Sequence, residues 1–572
     1  MRASDWIAKF LAAQGVEAVY EVAGGMIANF IDALHRDGQL RIVACHHEQA
    51  AGFAAEGHAR ITGVPGVAMG TSGPGAINLL TALGSCHFDS TPAVFITGQV
   101  NRSEQKRERP IRQLGFQETD VAAMAAPIAK AAMRVERIED LPRCLTEAFA
   151  LARAGRPGPV LVDIPLDLQL AEVDAPLPAS PETPEALETA PVPDDAVARI
   201  LDDLARAERP LILAGGGLRA GRAVAGFRQL VDRLGVPVVN SLMGVDALPF
   251  DHPLRVGLIG TYGNRWANIA LSRCDALLVL GSRLDIRQTG ADTDAFAAGR
   301  TIHHVDCDPG EVNNRLSDCH ELIATLAEAI PALLEAAGDS AGARHENWSE
   351  EIAELAARWP DTGELPGIEG INPNLLMHQL SNGAAAAYVA DVGQHQMWAA
   401  QSLELSGGQR FLTSGGMGAM GSGLPLAIGA AVASGEPVVA IAGDGGFQLN
   451  IQELQTVARN QLPVKMAVVN NGCHGMVRQF QESYFDGRYQ STVWGYSAPS
   501  FVAVAEAYGI AGRLVEDPED VAGAVAEMWA AEGPYLLEVA IDIRANAYPK
   551  IAFGHPISEM EPFVAPRAME ST

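Results

Sequence analysis

The sequence predicts an α/β protein made of three doubly wound, parallel-sheet domains. Short apolar, β-branched runs alternate with longer helical patterns, and many of the runs end in glycine-rich turns, which is how parallel sheets read. At 572 residues the chain is too long for a single hydrophobic core. Two aperiodic segments rich in proline and acid, AEVDAPLPASPETPEALETAPVPD at 171–194 and DTGELPGIEGINPN at 361–374, read as linkers. Domains are therefore expected at about 1–170, 192–340 and 370–545, followed by a tail over 546–572.

Composition limits what such a protein does. With 48% hydrophobic residues and spread-out charge it has the make-up of a soluble enzyme. The formal net charge of -28 argues against nucleic acid as a partner, because phosphate-backbone binders gather Lys and Arg on one face. Seven cysteines include no CxxC pair, so neither a disulfide framework nor a zinc site is suggested. No signal-peptide core and no long apolar run is present, so a cytoplasmic protein without a membrane span is expected.

In the first block, HHEQAAGF opens an Ala/Gly-rich helix. Taken alone, Glu48 there reads as a capping or solvated carboxylate, and Lys130 in APIAKAAM as a surface lysine. The segment from Arg102 to Arg112 sets Arg102, Lys106, Arg107, Arg109 and Arg112 against two Glu, a basic passage in an acidic chain. On its own it reads as a solvated loop.

The middle block runs from RPLILAGGGLRAG through VPVVN and DALLVLGSRLD to TIHHVDCDPGEV, each a strand with a loop at its carboxyl end. Gly215, Gly216 and Gly217 could bring backbone N–H groups and a helix start toward a phosphate. The GxGxxG spacing is absent, so a nucleotide site and a plain structural turn both stay open. The same absence argues against a nicotinamide dehydrogenase.

The third block is more specific. PVVAIAGDGGFQLNIQELQTVARNQLPVKMAVVNNGCHGM, at 437–476, predicts a strand over 438–442, a turn, a helix over about 448–459 and a strand over 464–469. Asp444 and Asn471 then leave neighbouring strand ends at one rim, where a hard cation could take their oxygens, and Gly445 and Gly446 allow close approach of a phosphate. Asp444 as a simple helix cap is the bland alternative.

GDG followed by NN resembles the signature of thiamine-diphosphate enzymes. The stretches HHEQAAGFAAEGHARITGVPGVAMGTSGPGAINLL, FQETD, GRPGPVLVDIP, DVGQHQMWAAQ and TSGGMGAMGSGLPLAIGA are similar to the acetolactate synthase branch, in the right order and over nearly the whole chain. The resemblance implies pyrimidine-binding, central and diphosphate-binding domains. It implies that Glu48 hydrogen-bonds the pyrimidine N1′ and promotes an imino form at N4′, which can take the thiazolium C2 proton. Met420 would hold the bend of the cofactor and the Gly418 carbonyl would accept from the 4′-amino group. Gly393, Gln394 and His395 would face the diphosphate, with His474, Gly475 and Met476 nearby, while Asp444, Asn471 and the Cys473 carbonyl would hold Mg²⁺.

Gln117, Phe116 and Lys130 match residues lining the family's substrate channel, with Met476 beside them. Flavin-containing relatives further imply FAD in the middle domain, at Gly215, Gly216, Gly217, Gly260, Arg283, Asp285, Arg287, Asp306 and Cys307. Since the family builds its active sites at subunit interfaces, a homodimer or homotetramer is implied.

The substrates implied are a 2-oxo acid donor, pyruvate, and a carbonyl acceptor. Three departures from the pattern surround the acceptor: Phe480 stands where the synthases have Trp, Met26 follows VAGG where the family has PGG and a small residue, and the basic passage is longer than in the family. Two acceptors therefore stay in view, a second pyruvate, or a ketone such as the nucleotide-linked keto-sugar of the branched-deoxysugar (yersiniose) carboligases. In the second case the basic passage would grip a phosphorylated acceptor. A flavin-dependent pyruvate oxidase is a further alternative.

Overall fold

The computed structural model describes residues 1–177, 191–338 and 345–567. The greater part of the linker read at 171–194, and the last five residues of the tail, lie outside the described residues. Three six-stranded sheets form in succession, every strand pair in them parallel. The first holds β1 (Ala18–Glu21), β2 (Arg41–Ala44), β3 (Gly66–Gly70), β4 (Ala93–Gln99), β5 (Ala131–Arg134) and β6 (Pro159–Pro165), in the order β2-β1-β3-β4-β6-β5. The second holds β7 (Pro210–Ala214), β8 (Val238–Asn240), β9 (Arg255–Leu258), β10 (Ala276–Leu280), β11 (Thr301–Asp306) and β12 (His320–Ile323), in the order β12-β11-β10-β7-β8-β9. The third holds β13 (Ala387–Ala390), β14 (Arg410–Leu412), β15 (Val438–Gly443), β16 (Val464–Asn470), β17 (Ala511–Val515) and β18 (Tyr535–Ala540), in the order β14-β13-β15-β16-β18-β17. The α/β class and its three parallel sheets are as expected from the alternating pattern.

One predicted element differs. The helix expected over 448–459 starts earlier, as a turn of helix at Asp444–Gln448, and breaks before Leu454–Arg459. Asn450 has left helical geometry at φ -132° and ψ 30°, because its amide donates to the Gly421 carbonyl at 2.8 Å and to Gln49 at 3.2 Å. A tertiary contact has overridden a local helical pattern.

The first and third domains share one apolar core, which runs from Phe53 and Ala54 to Leu426 and Ile428. Its centre is the crossing of helix Glu48–Thr62 with helix Gly423–Ser434. Glycines permit the approach: a Cβ on Gly57 would sit 2.1 Å from the Leu426 carbonyl oxygen, and one on Gly429 1.8 Å from that of Ala54.

The tail closes on the molecule. β19 (Lys550–Ile551) pairs antiparallel with β20 (Met560–Glu561), and a buried Lys550–Glu561 ion pair of 2.8 Å joins them. Arg265 of the middle domain makes a two-pronged pair with Glu364, 2.7 Å at each contact, and donates to the Glu561 carbonyl. Among the described residues no helix is long and apolar enough to cross a membrane.

Candidate active site

In sheets of this kind ligands bind beyond the carboxyl ends of the strands, where the strand order reverses. In the third domain that point lies between β13 and β15. Asp391 leaves β13 there. Its buried carboxylate accepts from the Val392 and Gly421 amides at 2.8 and 2.9 Å, and burial raises it to about 6. A Cβ on Gly446 would stand 2.4 Å from this carboxylate, so only glycine lets the turn after β15 lie against it.

Helix Gln394–Ser402 begins just beyond, after Gly393, and is buried along its length. The His395 ring packs against Gly393 and Gly443, and burial lowers it to about 3. Its Nε2 is buried without a partner. A phosphate oxygen would satisfy that atom and, by its charge, favour the protonated ring.

Across the crevice, Asp444 is buried and raised to about 6 by desolvation, while its Oδ2 accepts from Tyr496 Oη at 2.8 Å. The Asn471 amide donates to Gln394 Oε1 at 3.2 Å, and its Oδ1 accepts from the Cys473 amide at 3.2 Å. A Cβ on Gly475 would meet Gln394 Oε1 at 1.9 Å. The His474 ring lies 4.4 Å from that of Tyr496, centroid to centroid, and 2.6 Å from where a Gly445 Cβ would be. Thus Gln394, His395, Asp444, Gly445, Gly446, Asn471, Cys473, His474 and Gly475 come together, with Met476 half-buried on the same helix start. Asp444 and Asn471 supply a carboxylate and an amide oxygen, donor types that suit a hard cation.

The loop leading to helix Gly423–Ser434 overhangs this crevice through Gly421, whose amide reaches Asp391. Gly418 takes a left-handed φ of 67°, and Met420 remains 38% exposed, so it is not filling a core.

Glu48, Met26 and Gln117 collect elsewhere, around the loop Thr71–Gly75 after β3. Met26 donates its amide to Thr71 Oγ1 at 3.2 Å, and Gly24 packs on the same threonine. Glu48 opens its helix half-buried. Its Oε2 accepts from Asn78 at 3.0 Å, and Oε1 faces Gly75. The capping role falls to His47, whose ring accepts from the Gln49 amide. Gln117 holds a left-handed φ of 65° with its carbonyl against Gly73, and Phe116 is 79% exposed. Among the described residues no side-chain hydrogen bond joins Glu48 to the third-domain crevice.

Other residues are placed apart. Lys130 Nζ donates to the Ala154 carbonyl at 2.5 Å and its stem covers Gly158. Burial lowers its pKa. The structure therefore gives it a packing partner and does not bring it to the Thr71–Gly75 rim. Phe480 joins an aromatic cluster with Tyr484 and Phe485, the ring centroids 4.7 and 5.6 Å away. In the basic passage Arg102 pairs with Asp167 at 2.7 Å, and Lys106 donates to the Ile111 carbonyl, while Arg107, Arg109 and Arg112 are exposed.

In the middle domain the order reverses between β7 and β10. Gly215 and Gly217 donate to the Leu280 and Gly281 carbonyls, packing the two strand ends backbone on backbone. Gly216 lies against Met243. Gly260 backs onto the carbonyl of Arg287, whose side chain is exposed. Asp285 caps the turn of helix Ile286–Thr289 and pairs with Arg283 at 3.4 Å. Asp306 accepts from the Asp308 amide, its carboxyl raised by burial, and burial raises the Cys307 thiol to about 11.

Tyr496, Asp391 and Gln479, which bridges Gln394 and Ala547, belong to the crevice and escaped sequence reasoning. Asp391 alone carried a signal, as an acid directly after an apolar strand.

Comparison with known proteins agrees with this layout. Residues 1–124 match the thiamine pyrophosphate enzyme N-terminal TPP binding domain, 197–333 the central domain and 391–539 the C-terminal TPP binding domain. The chain is 40% identical to the acetolactate synthase isozyme 2 large subunit of Escherichia coli (strain K12), over 98% of this chain and 99% of that protein. It is 38% identical to the acetolactate synthase large subunit of Parasynechococcus marenigrum, over 96% and 89%. With the probable acetolactate synthase 2, chloroplastic, of Oryza sativa subsp. japonica it shares 39%, over 96% and 84%.

Proposed function

The chain belongs to the thiamine pyrophosphate enzymes, on their acetolactate synthase branch, and on that premise we propose that it decarboxylates pyruvate and joins the two-carbon unit to a second pyruvate, giving 2-acetolactate. The observation that carries this reading is the crevice between β13 and β15, where Asp444, Asn471 and Gln394 converge beside the orphaned Nε2 of buried His395. Asp444, the Asn471 amide oxygen and the Cys473 carbonyl would hold Mg²⁺, and His395 and Gln394 would face the diphosphate. Thiamine diphosphate, when bound, would supply an electron sink for the decarboxylation. The protein supplies the rest. Glu48 would hold a proton at the pyrimidine N1′, the Gly418 carbonyl would accept from the 4′-amino group, and Met420 would brace the bound cofactor.

Among the described residues no side-chain hydrogen bond joins Glu48 to the crevice of its own chain, and a homodimer or homotetramer would bring the glutamate of a second copy there. Gln117, Phe116 and Met26 would then line the entrance, with Met476 and Phe480 toward the acceptor. FAD is proposed at the β7–β10 reversal, supported by the strand order β9-β8-β7-β10-β11-β12, the dinucleotide-binding order, and by the exposed Arg287.

The relatives above favour a second pyruvate over a keto-sugar as acceptor and lend no support to an oxidase. Purified protein given pyruvate, thiamine diphosphate and Mg²⁺ should form acetolactate. Product that appears only when another ketone is added would refute the acceptor, and a colourless protein would refute the flavin.

A further inference from the structure

We propose that Glu453 and Asp89 form a reciprocal pair of positioning residues, each a buried carboxylate of one domain that fixes the backbone just ahead of a cofactor-facing group on the other. The inference rests on the roles given above to Glu48, Gly418 and Met420.

Glu453 belongs to the third domain and is fully buried. Its Oε1 accepts from the amides of His46 and His47 at 2.9 and 3.1 Å, and its Oε2 accepts from Thr456 Oγ1 at 2.6 Å. Those two amides immediately precede Glu48. The same junction is held by Asn450 donating to Gln49 and by Arg459 donating to the Ala44 carbonyl. Helix Glu48–Thr62 thus takes its starting point from the domain that carries Asp444.

Asp89 belongs to the first domain, its side chain 1% exposed. Its Oδ1 accepts from the Gly416 amide at 2.6 Å, and its Oδ2 from Gly415 at 3.0 Å and from Arg60 at 2.7 Å. Arg60 also donates to the Thr413 carbonyl at 2.6 Å. This grips the loop two residues before Gly418 and four before Met420. A Cβ on Gly416 would lie 2.8 Å from Phe88 Cβ, so the loop reaches Asp89 only as glycine.

Apolar packing and the glycine crossing already hold the two domains together, and a buried carboxylate is costly unless bonded. What the paired amide contacts add is direction. Charge-assisted bonds to backbone N–H groups are short and leave little freedom, and an error of about 1 Å at a reacting group costs on the order of 100-fold in rate.

The test uses the holoenzyme with thiamine diphosphate and Mg²⁺, reading deuterium exchange of the cofactor C2 proton beside cofactor affinity, melting and steady-state kinetics. Glu453→Ala should slow C2 exchange about 10- to 100-fold with cofactor affinity unchanged. Glu453→Gln keeps the acceptor oxygen and should restore exchange. Asp89→Ala should slow exchange and lower kcat while leaving KM for pyruvate in place. Should Glu453→Ala not fold, Glu453→Asp keeps the charge but withdraws it by one methylene and should still exchange slowly. Wild-type exchange in a folded Glu453→Ala or Glu453→Asp protein, or a Gln variant as slow as Ala, overturns the proposal. A Glu48→Gln enzyme that exchanges normally overturns the underlying reading of Glu48 instead.

Discussion

The first and third domains are built on the same strand order and place a helix after the second strand, yet they use the strand ends differently. After β15 stands Asp444; at the matching position after β3 stands Thr71. After β13 stands the buried acid Asp391, whereas the loop after β1 runs through Gly24, which packs onto Thr71 and closes the gap. The helices differ as well. Helix Glu48–Thr62 carries Glu48, Glu56, His58 and Arg60, while its counterpart Gly423–Ser434 carries no titratable side chain. One fold thus yields a polar cradle in one copy and a filled rim with an ionisable helix in the other, so chemistry resides in the residues at the strand ends.

Changing Asp444 should separate the copies most sharply. Asp444→Ala should weaken Mg²⁺-dependent binding of thiamine diphosphate by about 100-fold or more, followed by cofactor titration. Thr71→Val, at the matching first-domain position, should show no such loss.

Next is the crossing itself. Gly429→Ala forces a methyl group against the Ala54 carbonyl and should cost about 1–3 kcal/mol, read from denaturant midpoints.

The ionisable helix predicts an acid response. Burial lowers His58 from 6.5 to about 4, where it bonds Tyr20 at 3.0 Å. Between those values the unfolded chain binds the extra proton, so this contribution is full above pH 6.5 and is lost as pH falls toward 4. Comparing stability at pH 7 and pH 5, wild type should lose about 2 kcal/mol more than His58→Gln. An equal loss in both would place the acid sensitivity elsewhere.

The smallest effect is expected at Lys130. Lys130→Met removes its bond to Ala154 at a cost of about 1 kcal/mol and should leave KM for pyruvate as it was.

Local pattern was sufficient for much of this. Period and glycine turns mark β7, β8, β10, β11, β15 and β16, and Asp444 and Asn471 are legible because each follows an apolar run directly. The edge strands β9, β12 and β17 are only four or five residues long and partly exposed, so their apolar signal is thin. Tyr496 meets Asp444 across 52 residues of chain and Glu453 meets His46 across 407, separations at which no local spacing can act. Lys130 carries no mark in its own segment of the carbonyl that receives it.

By itself the sequence determined the class of fold, the βαβ unit and the residue types at its strand ends, because hydrophobic period and turn chemistry act over a few neighbours. Only the tertiary structure decided which ends meet, that Asn450 leaves the helix, that His395 keeps an unpartnered nitrogen, and that the carboxylates of Glu453 and Asp89 cross between domains. Those outcomes depend on packing and desolvation between segments far apart in the chain, and those terms exist only once the segments touch.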